Sequence, residues 1–270
     1  MKKSSQNSKV EVSVIIVNYN TGKLLRECVE SIVSSTDILR NPKTEIIVVD
    51  NNSSDGSEDV KGKITFIKNF SNPGFSIANN QGIKQAKGEY ILLLNPDTNI
   101  KSDAILKLVE FAKRHFEVGV VGAKLILRDG ITQKSVFRFP TIWRAVCEFW
   151  FGANTYSSYF PQEDGPIAVD AVVGAAFLIT PQAREKVGLL DERYFMYFED
   201  LDYCRRVWNS GLKVYYLSSA EVIHYHGTSG KGLTPNENQW RRLIPSSKIY
   251  HGLFGHWLIN FIIWTSQKLK

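Results

Sequence analysis

Three places in this chain put carboxylates where they could do chemistry. Asp50 follows the apolar run Glu45 to Val49 (EIIVV) and opens the polar loop Asn51-Asn52-Ser53-Ser54-Asp55-Gly56. A carboxylate there can accept hydrogen bonds from a uracil or thymine imide or a ribose hydroxyl, or it can brace its own turn. Asp97 ends Asn95-Pro96-Asp97 behind Tyr90 to Leu94 (YILLL). It is a hard oxygen ligand for a divalent cation, Mg²⁺ or Mn²⁺, bridging the two phosphates of a nucleotide sugar; a turn or helix-cap role is the plainer alternative. Pro96 favours an extended residue before it, which aims Asn95 and Asp97 toward one pocket.

Glu199-Asp200-Leu201-Asp202 follows the aromatic stretch containing Tyr194, Phe195, Tyr197 and Phe198. Helix-dipole complementarity and an i, i+4 pair with Arg206 account for Asp202. Glu199 and Asp200 remain candidates for a general base beside a sugar acceptor. His224 and His226 alternate at a strand end, so one of the two faces any given pocket, as a metal ligand, a phosphate contact or a turn residue. The chain has no G-x-G-x-x-G after its first strand, no Walker lysine motif and no G-x-S-x-G elbow. The chemistry is left to carboxylates and histidines.

Elements that could position these groups alternate along the first half. Val12 to Asn18 reads as a strand, with Leu24, Leu25, Cys28, Ile32 and Val33 at helical spacing after it. Glu45 to Val49, Ile64 to Ile67 and Tyr90 to Leu94 are further strands. Helices are expected from Asn72-Pro73-Gly74 to Lys87 and after a Ser102 cap. This order predicts an α/β fold with a mostly parallel, Rossmann-like central sheet flanked by helices, whose ligands lie beyond the carboxyl ends of the strands.

Farther along, Val118 to Leu127, the single run Val169 to Ile179, Val214 to Leu217 and Glu221 to Ile223 read as strands. Trp143 to Trp150 reads as a helix, followed by a loop suited to an acceptor flap, and Glu199 to Ser210 as another. Arg241 to Tyr250 and Gly252 to Gln267 read as two closing helices. Their tryptophans and lysines suit the interface of an anionic membrane, with packing on the domain or on a second subunit as the alternative. The expected organisation is a flexible leader at 1–10, a catalytic-type domain at 11–230 and a C-terminal helical appendage at 231–270.

The 270 residues carry a formal charge of +6, 43% hydrophobic and 22% charged residues, a folded-chain composition with no compact arginine patch for nucleic acid. Cys28, Cys147 and Cys204 lie far apart without metal spacing, which fits a reducing compartment and, with no signal peptide, a cytoplasmic location.

Several segments taken together resemble the family 2 glycosyltransferases, inverting enzymes of GT-A fold, and their rhamnosyltransferase-like branch. These are VSVIIVNYN (12 to 20), EIIVVDNNSSDGS (45 to 57), NPGFSIANNQGI (72 to 83), GEYILLLNPDT (88 to 98), VVGAAFLI (172 to 179), GLLDERYFMYFEDLDYCRRVWNSG (188 to 211) and AEVIHYHGTSG (220 to 230). The resemblance implies Val17, Tyr19, Asp50 and Asn52 in a nucleotide pocket, and Asn80 lining the donor site. Asp97 takes the last place of the D-x-D metal motif, with Asn95 where the first aspartate stands, and Asp200 takes the place of the catalytic base. His224 or His226 falls where some relatives have a metal ligand, and Gly174 and Ala175 border donor sugar and acceptor.

The implied donor is dTDP-rhamnose, with UDP-linked hexoses as competitors. The implied acceptor is a glycan or lipid-linked glycan at the inner face of the cell membrane. No Q-x-x-R-W of the processive synthases occurs, so one or a few additions per acceptor are expected. A sugar-nucleotide pyrophosphorylase and a catalytically silent sugar-nucleotide or glycan-binding module are the rival readings.

Overall fold

The computed structural model describes residues 9–36, 42–225 and 240–269. In chain order the strands are β1 (Val12–Asn18), β2 (Thr44–Asp50), β3 (Ile64–Lys68), β4 (Tyr90–Leu94), β5 (Thr98–Ile100), β6 (Val118–Ile126), β7 (Val136–Phe137), β8 (Pro166–Ala168), β9 (Ala171–Val172), β10 (Ala176–Ile179) and β11 (Lys213–His224). The helices are α1 (Gly22–Thr36), α2 (Phe75–Gln85), α3 (Ala104–Arg114), α4 (Ile142–Phe151), α5 (Pro181–Val187), α6 (Glu199–Asn209) and α7 (Trp240–Leu269).

The main sheet runs β3-β2-β1-β4-β10-β6-β11-β5, with β8 added beside β11. Alternation along the strands assigns its two faces. Val12, Val14, Ile16, Leu92 and Leu94 meet Leu25, Cys28 and Ile32 of α1 and Ile105, Leu108 and Val109 of α3 on one side. Ile15, Val17, Ile91 and Leu93 meet Ala78 and Ile83 of α2 and Leu201, Cys204 and Val207 of α6 on the other. Each of these branched side chains contributes about 1.5–3 kcal/mol by leaving water. Burial on both faces is why β1 and β4 read as unbroken apolar runs.

The sheet is mixed rather than parallel throughout. Strands β1, β2, β3 and β4 pair in parallel, as do β6 and β11, but β10 runs antiparallel to both β4 and β6. The run Val169 to Ile179, expected as one strand, changes sheets. Val172 pairs with Val136 in a small two-stranded sheet and Ala176 pairs with Leu94 in the large one, leaving 173–175 as a corner at the sheet's edge. Conversely, Val214 to Leu217 and Glu221 to Ile223 form one strand, β11, with a register shift between them.

Helix boundaries move slightly. Helix α2 ends at Gln85 and not Lys87, and α3 has Asp103 rather than Ser102 at its N-cap, with no side-chain capping bond. Thr180 caps α5, accepting from the Ala183 N–H, with Pro181 in the first turn. The two closing helices meet at Gly252, whose φ of 72° and ψ of 166° break α7.

Candidate functional site

The direction of the strands gathers the site. Strands β2, β1 and β4 have their carboxyl ends on one edge, Asn18 lying opposite Asp50 and Ile16 opposite Leu94. Antiparallel β10 begins at that edge with Ala176 opposite Leu94, so Gly174 and Ala175 arrive there too. Strand β11, parallel to β6, ends there on His224. The Asn95 N–H donates to the Ala175 carbonyl at 3.0 Å, tying the Asp97 loop to the β9–β10 corner.

Asp50 is buried and serves as the hub of its loop. Its carboxylate accepts from Asn18 Nδ2 at 2.7 Å, the Ser53 N–H at 2.9 Å and Ser53 Oγ at 2.6 Å. Thr21 Oγ1 donates to Asn18 Oδ1 at 2.6 Å, joining the turn after β1 to the same network. Asn52 is exposed, with a left-handed φ of 65° that asparagine tolerates. Val17 is 8% exposed and Tyr19 half-buried beside it. Asn80 lies elsewhere. Its amide spans to the Leu190 backbone in both directions, at 2.9 and 3.0 Å, and to Glu192 Oε1 at 3.0 Å. That spends it on fastening α2 to the turn before Tyr194.

Asp97 is wholly buried. Its Oδ1 lies 3.3 Å from His224 Nε2, and His224 Nδ1 lies 2.8 Å from Gln133 Oε1. The backbone adds a second tie, the Tyr225 N–H donating to the Asp97 carbonyl at 2.8 Å. A carboxylate oxygen and an imidazole nitrogen, the latter oriented by an amide, are donors that could hold a divalent cation. Among the described residues no group of three or more His, Cys, Asp and Glu side chains could hold a metal alone. His226 lies outside the described residues.

Asp200 sits in the first turn of α6 and closes onto the corner. Its Oδ2 accepts from the Gly174 N–H at 3.0 Å and its Oδ1 from the Leu201 N–H at 2.8 Å. Burial raises its carboxyl, while those two N–H groups pull it back. Glu199 is more extreme. Burial raises it well above the ordinary range, the Asp200 charge adds to that, and its Oε2 has no hydrogen-bond partner among the described residues. Burial thus raises both carboxyls, and Glu199 further because the Asp200 charge opposes its ionisation. Asp202 is the structural member, bound to Arg206 Nε at 2.8 Å and to Arg205 at 3.4 Å, while Arg206 also holds the Val187 and Leu189 carbonyls.

A glutamate whose folded value is raised contributes stability present below its unfolded value, and that stability is lost as pH rises toward the folded value. Glu199→Gln is therefore expected to melt like the parent near about pH 4 and several degrees higher near about pH 8. Calorimetry across that window checks it; a gap independent of pH would deny Glu199 its retained proton.

Gly174 is buried beside Asp200, with room for one more carbon. A Cβ there would meet Asp200 Cβ at 3.7 Å, Asp200 Oδ2 at 3.8 Å and Phe75 Cε1 at 3.9 Å, all ordinary contacts. Gly174→Ala is expected to keep its melting temperature within about 1 °C, since the added methyl makes only ordinary van der Waals contacts. Its transfer kcat/KM should drop roughly tenfold or more, because a methyl group intrudes beside the Asp200 carboxylate. Gly74 is the opposite case. With φ 98° and Phe195 atoms 2.7 Å from any Cβ, it has to be glycine for the Phe195 carbonyl to accept from the Phe75 N–H at 2.7 Å.

Sequence reasoning missed several supporting residues. Asn18 reads as the end of a strand and Gln133 carries no motif; each is the partner of a site residue. Asn51, Asn69, Asn72 and Gln81 form a side-chain amide ladder that fixes the loops after β2 and β3. The density of asparagines there was the available signal. Tyr197 and Phe198 both adopt φ 69° immediately before Glu199, and nothing in an aromatic run announces that.

The chain is 27% identical over 238 residues to the N-acetylglucosaminyl-diphospho-decaprenol L-rhamnosyltransferase of Mycobacterium tuberculosis, covering 80% of this chain and 76% of that one. It is 27% identical to rhamnosyltransferase WbbL of Escherichia coli, over 58% of this chain and 60% of that protein. Among solved structures, the mannosyltransferase PcManGT of Pyrobaculum calidifontis, in complex with GDP-Man and Mn²⁺, superposes with a TM-score of 0.58 at 18% identity. The match covers 93% of this chain and 64% of that one, a likeness of GT-A fold. The family model described as glycosyl transferase family 2 matches residues 13–172, more than half of the sequence, and the chain belongs to that family.

Proposed function

We propose that this glycosyltransferase moves rhamnose from dTDP-rhamnose, with inversion, onto a hydroxyl of a lipid-linked or cell-surface glycan. The observation that carries the mechanism is Asp200, a carboxylate pinned by the Gly174 N–H at the sheet edge shared with Asp97. Asp200 removes the proton of the acceptor hydroxyl. The acceptor oxygen then bonds to the anomeric carbon from the face opposite the diphosphate, and the bond from that carbon to the phosphate oxygen breaks, releasing the nucleoside diphosphate. Asp97 and His224 would hold the divalent cation, whose charge offsets that of the departing diphosphate. Protonated Glu199 spares Asp200 a second negative charge next to it.

The choice of sugar and acceptor is supported by the rhamnosyltransferase relatives, one of which is named for a decaprenol-linked acceptor. On this reading 11–230 is the transferase domain, acting at the cytoplasmic face of a membrane, and 231–270 is the segment that meets the surroundings. The test is a panel of nucleotide sugars, with and without chelator, scored for donor consumption and binding. Consumption of dTDP-rhamnose with metal is the expected result. Consumption of a UDP-hexose instead would reassign the donor, and binding without turnover of any donor would restore the silent-module reading.

A further inference from the structure

Past Gly252, α7 carries its aromatic side chains on the side turned away from the protein. His256, Ile259, Ile262 and Ser266, three or four residues apart, are buried, and the isoleucines pack with Ala145, Val146 and Phe149 of α4. Phe254, Trp257, Phe261 and Trp264 repeat at the same spacing on the other side and are 52–78% exposed. A helix whose outer side faces water carries polar residues there, not a stripe of aromatic ones.

Helix α4 extends this face. Trp143, Trp150 and Phe151 are exposed, and Trp150 Nε1 donates to the Ile262 carbonyl at 3.3 Å, joining the two helices. Most of the exposed large hydrophobic side chains among the described residues sit on α4 and the second half of α7. Lone apolar residues on a surface need no explanation, but a contiguous patch marks a contact.

The charges beside the patch identify what it contacts. Residues 240–270 contain five Lys and Arg residues and no Asp or Glu. Lys248 Nζ stands 5.5 Å from the Trp257 ring and Lys268 Nζ 4.8 Å from that of Trp264. Indoles with lysines beside them match a lipid headgroup layer, the ring entering the apolar boundary while the ammonium meets phosphate. A second copy of the chain would bring the same cations against these, and no acid from this segment to meet them. Among the described residues no helix is long and apolar enough to cross a membrane.

We propose that α4 and the second half of α7 form one face that lies flat in the headgroup region of an anionic lipid bilayer. The face is coupled to the site through the first half of α7. Ser246 Oγ donates to the Met196 carbonyl at 2.7 Å, and the Tyr250 and His251 rings lie 5.3 and 5.8 Å from that of Phe198. Docking therefore lays the loop that delivers Asp200 at the boundary where the hydroxyl of a lipid-linked acceptor sits. This last step rests on the proposed function; the docking itself does not.

The test is sedimentation of the full chain with vesicles of phosphatidylcholine alone and with about one third phosphatidylglycerol, at two salt concentrations. Binding to the anionic vesicles, weakened by salt, is expected. The triple variant Phe254→Ser, Trp257→Ser, Phe261→Ser should bind at least tenfold less, and Lys248→Glu with Lys268→Glu should lose the preference for anionic lipid. Both should keep the parent's melting temperature and its turnover of a soluble donor. Equal sedimentation with neutral and anionic vesicles, or unchanged binding by the triple variant, would overturn the proposal. So would light scattering that shows a parent dimer made monomeric by the triple variant, since the face would then belong to a second copy. Parent protein that docks but turns over no donor would overturn the proposed function and leave the docking standing.

Discussion

An Asp200→Asn protein is expected to bind its nucleotide-sugar donor as tightly as the parent and to transfer sugar about 10²–10⁴-fold more slowly, the usual share of a general base. That loss corresponds to roughly 3–5 kcal/mol of transition-state stabilisation. Asparagine keeps the shape, and its carbonyl can still accept from the Gly174 N–H that aspartate Oδ2 accepts at 3.0 Å; what it lacks is the ability to take a proton. The pH profile gives an independent readout. Burial raises the Asp200 carboxyl, so the acid limb of the parent's kcat should fall above the ordinary aspartate range, and in the variant that limb should vanish. Weakened donor binding with turnover retained would remove Asp200 from the role of base.

Asp97→Ala should change two properties together. Donor affinity is expected to fall roughly 10- to 100-fold, the range seen when a group that holds or orients a metal ligand is lost. The remaining activity should no longer respond to Mn²⁺ or to chelator. Because Asp97 is wholly buried against His224, Asp97→Asn serves as the companion variant that conserves volume. The two should share the loss of metal response even where their melting temperatures differ. Calorimetric titration of nucleoside diphosphate with and without Mn²⁺ measures this, and a donor affinity indifferent to Mn²⁺ in the parent would remove the metal role from Asp97 and His224.

These two expectations differ in kind because the two carboxylates are held differently. Asp97 sits in the short turn between β4 and β5 and lies against His224 at the end of β11. Asp200 depends on a loop kept in an unfavourable shape. Consecutive left-handed residues other than glycine cost about 1–3 kcal/mol each, and Tyr197 and Phe198 are such a pair. Packing offsets the cost: Phe198 lies against Tyr250, whose other side faces the Arg205 guanidinium 4.1 Å from the ring centroid. The closing helix is thus part of what holds Asp200 in place.

What the sequence determined by itself was the local part. Apolar runs such as YILLL, buried on both faces, followed by polar turns, could only be strands of a covered sheet, and the parallel order of the first half put Asp50 and Asp97 at carboxyl ends. The i, i+4 pairing of Asp202 with Arg206 was equally local, as was the break at Gly252. Tertiary structure decided whatever depended on distant partners. Asn18 binds Asp50 across 32 positions and Gly174 binds Asp200 across 26. Strand β10 runs antiparallel because its chain turns at the sheet edge, which no periodicity encodes. Asn80 faces a turn 110 positions away rather than the donor edge. The tryptophans and lysines of α7 fit either a membrane interface or packing on the protein by sequence alone; α4 covers the isoleucine side and leaves the aromatic side exposed. Periodicity reports how far a segment is buried, whereas a site is made by the order in which buried segments become neighbours.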